Sequence, residues 1–396
     1  MFNLHKKGFL ALALLLFFFI FNISSVEVLA QPEFELNAKS ALLMEAESGK
    51  IIFEKNAHQK LPPASMTKVM TMLLVMEALE EGRVSLDDKI VTSPYAARMG
   101  GSQIWLEPGE EMILEDMLKA IAIVSANDAS VAVAEHVAGS AETFIEQMNQ
   151  RAEELGMKNT YFYNTNGLPV TVANIQGNYS TAFDLAVAAR ELLKYPQILE
   201  YTSIWHEYIR EGQSVLNNTN RLVRHLPGVD GLKTGYTSEA GHGVVATAAR
   251  DDLRFIAVIM ACERSETRFD EAAQLLNHGF NSYTSVTVAE ADEVIIEIEL
   301  KNANVDKISV TVPEKIIVPV PREEEDMVST KIELDDNISA PLDIGDKVGE
   351  LDILVKDHLI KEVDLVAAQQ ADKVSIFGMI FRVFFNLMNE FITFLN

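Results

Sequence analysis

Apolar and polar positions change rhythm along this chain, and the changes divide it. From Phe9 to Ile23 nearly every residue is apolar, after a short basic start at His5, Lys6 and Lys7. Ala30 follows at the distance of a secretory cleavage site, so residues 1–30 are predicted to be a signal peptide. The run is short for a membrane span of about 20 residues. From Lys39 to Asn56 the pattern reads as two strands turned at Ser48-Gly49, a hairpin signal. Apolar residues then recur at helical spacing over Met66 to Glu80, Leu114 to Ala138, Ala141 to Leu155 and Thr181 to Leu193. Strand patterns return at Gly231 to Tyr236, Gly243 to Arg250 and Leu253 to Ala261, before a helix near Thr267 to Phe280. Strands at both ends with helices between them predict an α/β (α+β) domain over residues 31–284: one antiparallel sheet, closed by the N-terminal hairpin and covered by helices.

Beyond about Ser285 the rhythm shortens. Glu293 to Leu300, Lys307 to Val312, Lys315 to Val320, Val328 to Leu334 and Lys347 to Val355 alternate apolar with charged residues, punctuated by Pro313, Pro319, Pro321 and Gly345. That pattern predicts a small all-β domain over residues 285–368. Residues 369–396 change again. From residue 374 on, polar or small residues fall at Ser375, Gly378, Arg382, Asn386, Asn389 and Thr393, in steps of three and four, and apart from Glu390 and the last residue, Asn396, the rest is Phe, Ile, Leu, Met and Val. A helix with one narrow polar stripe suits the plane of a bilayer interface, so a C-terminal amphipathic helix with the membrane surface as its partner is expected.

Composition narrows the functions. Lys and Arg number 33 against 58 Asp and Glu, a formal charge of −25, which opposes a nonspecific grip on phosphate backbones and excludes nucleic acid as a partner. A single cysteine, Cys262, rules out an intramolecular disulfide and any Cys-built metal site; it reads as a buried strand residue. No HExxH occurs among the eight histidines, and Glu323, Glu324, Glu325 and Asp326 lack a ligand-loop spacing, so neither metal nor cofactor is expected.

Three short patterns carry chemistry: Ser65-Met-Thr-Lys68, Ser125-Ala-Asn127 and Lys233-Thr234-Gly235. Pro62 and Pro63 precede Ser65, placing it at a helix start with Lys68 one turn later on the same face, so a nucleophile and a base can touch. The helix N-terminus there favours a developing anion. Lys233-Thr234-Gly235 falls on a predicted strand, where Gly235 is expected to clear space for a substrate lying along it. Trp105, in SQIWLEPGE, reads either as cleft wall or as loop anchor.

Together these motifs resemble the active site of penicillin-binding proteins and serine β-lactamases, a set known from that group rather than deduced from spacing. The wider strings PPASMTKVMT, GGSQIWLEPGE, IVSANDASVAVAEH and VDGLKTGYTSEAGHG are similar to those of the D-alanyl-D-alanine carboxypeptidases, the low-molecular-mass penicillin-binding proteins, over nearly the whole chain. The resemblance implies a β-lactamase/transpeptidase-like fold. It also implies an extracytoplasmic enzyme that acts on peptidoglycan D-Ala-D-Ala peptides and takes β-lactams as covalent inhibitors. Ser65 would be acylated, Lys68 would be the base, its pKa lowered by Lys233 and partial burial, and Ser125 would pass a proton to the leaving amine. Asn127 would hold the substrate amide, Lys233 and Thr234 its carboxylate, and the N–H groups of Ser65 and Tyr236 the oxyanion. Where family members commonly carry His, this chain has Asn178. Two other functions stand beside this one: a β-lactamase, whose ExxLN pattern is here only Gln213-Ser-Val-Leu-Asn217, and a catalytically silent wall-binding protein.

Overall fold

The computed structural model describes residues 35–170, 177–300 and 302–374, so the predicted signal peptide and nearly all of the predicted C-terminal helix lie outside the described residues. Strands β1 (Ser40–Glu45) and β2 (Ile51–Lys55) form the expected hairpin, Ala41 opposite Lys55 and Leu43 opposite Phe53. Helices α1 (Lys68–Glu80), α2 (Leu114–Ile123), α3 (Asn127–Ala138), α4 (Ala141–Glu154), α5 (Ala182–Leu192), α6 (Gln197–Thr202) and α7 (Leu222–His225) follow. Two small hairpins interrupt them, β3 (Lys89–Val91) with β4 (Glu111–Ile113) and β5 (His206–Ile209) with β6 (Ser214–Asn217). Strands β7 (Val229–Thr237), β8 (Gly241–Arg250) and β9 (Leu253–Cys262) and helix α8 (Ser265–Ser282) complete the first domain.

The main sheet runs β2-β1-β9-β8-β7, antiparallel throughout, with the N-terminal hairpin closing on the last strand. Its two faces explain its sequence. On β9, Ile256, Val258 and Met260 join the core beneath the helices of α1 to α6, while Phe255, one position out of phase, meets Phe280 of α8 at 5.0 Å. Both faces are covered, so β9 reads as a nearly continuous apolar run, and Cys262 ends it buried. Strand β7 is the edge, which leaves one side of its backbone free to meet other groups.

One predicted helix is broken. Leu114 to Ala138 is apolar at helical spacing without interruption, but α2 stops at Ile123 and α3 starts at Asn127. Between them Ser125 takes a φ of +66°, and the Asn127 N–H turns to the Ser102 carbonyl at 2.7 Å. Burial on both sides of the break keeps the apolar pattern intact across it.

The second domain is all-β. Its strands are β10 (Tyr283–Ala289), β11 (Val294–Glu299), β12 (Lys307–Thr311), β13 (Ile316–Pro321), β14 (Val328–Leu334), β15 (Lys347–Val355) and β16 (His358–Ala367). They form a sheet of order β11-β12-β16-β15-β14 and a β10-β13 pair, around a core including Ile308, Val310, Val318, Ile353 and Leu365. β10 and β16 lie outside the predicted runs; most of their side chains are half-buried or exposed, so their alternation is weak. The acidic run at 323–326 forms an exposed 3-10 turn in which Glu324 pairs with Lys356 at 2.9 Å. Ala371 is buried in this core, and the N–H groups of Asp372 and Val374 bond Asn304 Oδ1 and the Asn302 carbonyl, so 369–374 belong to the β domain rather than to the helix predicted from the pattern. No helix among the described residues is long and apolar enough to cross a membrane.

Candidate active site

Pro62 and Pro63 lead into a 3-10 turn, Ala64–Thr67, and α1 begins only at Lys68. Ser65 therefore sits one turn ahead of the expected α-helix start, yet the three-residue spacing still brings Lys68 Nζ to 3.3 Å from Ser65 Oγ. The turn is clamped from two sides. Ala64, with φ +47°, backs onto Gly167, where any Cβ would lie 1.8 Å from the Ala64 carbonyl oxygen. On the other side Met66 packs over Gly235 and Gly243, which face each other across β7 and β8. A Cβ on Gly235 would meet the Pro63 carbonyl at 2.8 Å and one on Gly243 would meet Met66 Cε at 2.6 Å. This corrects the expectation for Gly235: the space it clears is taken by the turn carrying Ser65, which is how that turn reaches the edge strand.

Lys68 is wholly buried, and its amine has three partners. Nζ donates to Asn127 Oδ1 at 2.6 Å and to the Asn166 carbonyl at 2.9 Å, and the third contact is Ser65 Oγ. Asn127 is oriented by its own Nδ2, which donates to the Gly100 carbonyl at 2.7 Å. Burial, reinforced by Lys233 and opposed by Asp128, holds the Lys68 amine well below the usual lysine value. Partial burial was expected; complete burial is the larger cause. The Asp128 carboxylate is occupied by the N–H groups of Ile104, Leu106 and Ala129.

The break between α2 and α3 brings Ser125 and Asn127 into the same region. Ser125 is 4% exposed, and its Oγ has no hydrogen-bond partner among the described residues. An orphan hydroxyl in a buried site is costly unless a ligand or water completes it. On β7, Lys233 is buried with Nζ 3.2 Å from the Thr234 carbonyl, and burial together with Arg268 pushes its amine down to about 7. Thr234 Oγ1 lies 2.8 Å from Thr219 Oγ1. Tyr236 is 58% exposed and stacks on His242 at 4.2 Å.

Sequence reading missed three contributors. The Asn166 carbonyl is a backbone group without a side-chain signature. Arg268, on α8, donates Nη1 to the carbonyls of Gly235 and Gly243 at 3.0 and 3.3 Å, placing a buried guanidinium behind the strand. Asp128 anchors the 104–106 loop, so Trp105 is not that loop's anchor; its indole is 76% exposed. Asn178 is a fourth case, noticed only as a departure. Its Oδ1 accepts from the N–H groups of Tyr163 and Asn164, and its Nδ2 lies within 3.2 Å of Thr67 Oγ1, the Asn164 carbonyl and Asn164 Oδ1. It thereby ties the loop that presents the Asn166 carbonyl to the turn that presents Ser65. Asn178→Ala should leave the protein folded and slow covalent labelling of Ser65 by a penicillin about tenfold or more, the loss of roughly 1–3 kcal/mol of satisfied polar contacts. A labelling rate equal to the parent's would show that the loop holds its place without Asn178.

Residues 26–264 match the family described as D-alanyl-D-alanine carboxypeptidase, and residues 283–373 match the C-terminal domain of penicillin-binding protein 5. The chain is 44% identical to the D-alanyl-D-alanine carboxypeptidase DacF of Bacillus subtilis, over 84% of this chain and 85% of that protein. It is 32% identical to DacC of Escherichia coli over 87% of each. The crystal structure of penicillin-binding protein 5 from Haemophilus influenzae superposes with a TM-score of 0.71 at 28% identity, covering 86% of this chain and 99% of that one. With the first family matched over more than half of its length, the chain belongs to the D-alanyl-D-alanine carboxypeptidases.

Proposed function

We infer that this chain is a serine-type D-alanyl-D-alanine carboxypeptidase that removes the terminal D-Ala from peptidoglycan stem peptides outside the cytoplasm, with Ser65 as its nucleophile. One observation carries the residue assignment: the partner set of Lys68. A neutral amine has two N–H donors and one lone pair. Asn127 Oδ1 and the Asn166 carbonyl can only accept, so they use the two donors, and the lone pair is left for the Ser65 hydroxyl proton. No carboxylate bonds Nζ among the described residues, which favours the neutral form further.

In this reading the Ser65 oxygen attacks the carbonyl carbon of the D-Ala-D-Ala bond while its proton passes to Lys68. The oxyanion is met by the N–H groups of Ser65 and Tyr236. Ser125, whose hydroxyl has no partner among the described residues, relays a proton to the leaving nitrogen, and free D-Ala departs. Water then attacks the acyl-enzyme, restoring Ser65 and releasing the shortened peptide. Lys233 and Thr234 hold the terminal carboxylate, with the Arg268 charge behind them, and Asn127 receives the substrate amide. A β-lactam presents an equivalent acyl group, and the same Ser65 oxygen attacks its carbonyl carbon as the ring C–N bond opens.

Ser65→Ala should abolish covalent penicillin labelling in a protein that still folds. Lys68→Arg keeps the charge but, with a pKa above about 12, cannot take the proton, and acylation should fall by a hundredfold or more. Label found by peptide mapping on another residue would refute the assignment.

The pH profile separates the two amines. Protonation of Lys68 removes the base, giving an acid limb to kcat/KM; deprotonation of Lys233 removes the carboxylate's cation, giving an alkaline limb near pH 7 in the free enzyme. Lys233→Arg should move that alkaline limb above the measurable range, at lower overall activity, because a guanidinium stays charged. A limb left in place by Lys233→Arg belongs to another group.

For residues 1–30 we propose a cleaved signal peptide, and for the C-terminal segment an interfacial anchor. Arg382 and Asn386 sit mid-segment, where a span would bury them in hydrocarbon but an in-plane helix leaves them in water. Since the β domain reaches Val374, the clean truncation removes residues 375–396. The product should be soluble, with unchanged turnover of a small peptide and weakened flotation with lipid vesicles. Loss of penicillin labelling on truncation would assign the segment to the folded core instead.

A further inference from the structure

One oxyanion donor proposed above is the Tyr236 N–H, and the other end of that peptide unit is the Gly235 carbonyl. In a trans peptide the two point in opposite directions, so whatever holds the carbonyl aims the N–H. Arg268 holds it from α8. Its Nη1 lies 3.0 Å from the Gly235 carbonyl oxygen and 3.3 Å from that of Gly243. These two glycines face each other in the β7–β8 register. One nitrogen can reach both oxygens only if both carbonyls turn into the gap between the strands, because carbonyls turned outward lie on opposite sides of the pair. With the Gly235 carbonyl turned inward, the Tyr236 N–H leaves through the free edge of the sheet, beside the turn that carries Ser65.

The guanidinium is built into the protein. Arg268 is buried, its Nη2 lies 3.4 Å from Ser265 Oγ, and its central carbon sits 4.6 Å over the Phe269 ring. No carboxylate bonds it among the described residues, and its Nε has no hydrogen-bond partner there. A buried cation without an anion is costly to keep, and this one meets only carbonyl and hydroxyl dipoles. Strand pairing does not demand it: the β7–β8 ladder runs from Val229 opposite Ala248 to Thr237 opposite Gly241, well past the glycine pair on the Val229 side. Its position has a chemical consequence instead. Positive charge at a peptide oxygen draws electron density from the peptide nitrogen and strengthens the N–H as a donor. A donor fixed in direction beforehand also needs no reorganisation when the oxyanion forms.

We propose that Arg268 is a positioning residue for the oxyanion, which orients and polarises the Gly235–Tyr236 peptide from behind without touching the substrate. The assignment rests on the carboxypeptidase reading and adds to it a residue outside the three motifs.

The test uses the full chain, benzylpenicillin carrying ¹³C at the β-lactam carbonyl, and its methyl ester. Arg268→Gln should slow acylation of Ser65 about tenfold, a fraction of the roughly hundred- to thousandfold lost with a whole oxyanion donor, with non-covalent affinity for the penicillin unchanged. In the infrared difference spectrum of the penicilloyl-enzyme, the labelled ester carbonyl should move to higher frequency, because it accepts a weaker hydrogen bond. The acid and its methyl ester should lose the same factor. Arg268→Lys keeps a cation but cannot hold both carbonyls and Ser265 at once, so its rate and frequency should fall between those of the parent and Arg268→Gln. If Arg268→Gln does not fold, a Lys variant with parental rate and frequency overturns the proposal by itself. An unshifted carbonyl in Arg268→Gln overturns it, and so does a loss confined to the free acid, which would assign Arg268 to carboxylate binding. Either result leaves the carboxypeptidase reading intact; a parent chain that takes no penicillin on Ser65 would overturn both.

Discussion

The structure turns on keeping one lysine amine completely dry without neutralising it by a carboxylate. Taking a cation out of water costs several kcal/mol, and the cost is relieved when the group gives up its proton. Lys68 is placed so that this is the easier course: its two N–H bonds meet an amide oxygen and a backbone carbonyl, and the available carboxylate, Asp128, is turned aside by three N–H groups. Each partner arrives from a different part of the chain. Ser65 comes with the turn before α1, Asn127 with the first residue of α3, and Asn166 with the loop beyond α4.

Holding three separate segments within hydrogen-bond distance needs steric contacts that hydrogen bonds alone cannot supply. Glycine provides them by absence. Gly167 lets its loop press on the Ala64 carbonyl, while Gly235 and Gly243 leave a bare patch on the sheet that Met66 fills. The hydrogen bonds of Asn178 then fix the loop's register against Thr67. Packing sets the distance and polar contacts set the orientation.

Sequence made the local part of this legible. The spacing of Ser65 and Lys68, the hairpin at 48–49 and the strands leading to Cys262 are near-neighbour features, and the patterns that encode them survive into the structure. What stayed hidden is of two kinds. Backbone groups such as the Asn166 carbonyl have no residue identity to read, and Arg268 looks from sequence like an ordinary charge on an amphipathic helix, because nothing local says that its guanidinium enters the sheet. The break at 124–126 was masked for the opposite reason: with both flanking helices buried, an apolar run conceals the point where the backbone turns.

The two buried lysines also explain each other. Both are desolvated, but Lys233 is lowered by Arg268 while Lys68 is lowered by Lys233, so positive charge is graded from α8 through β7 to the nucleophile. If Lys233 and Thr234 take the substrate carboxylate as proposed, that carboxylate supplies the missing counter-charge and draws a proton onto Lys233. The restored charge on Lys233 then weighs more heavily against protonation of Lys68. Linkage requires the converse as well: a neutral Lys68 makes a charged Lys233 easier to hold. On that proposal carboxylate recognition and base activation are coupled through Lys233, which would give a substrate with a free C-terminus an advantage in chemistry as well as in binding.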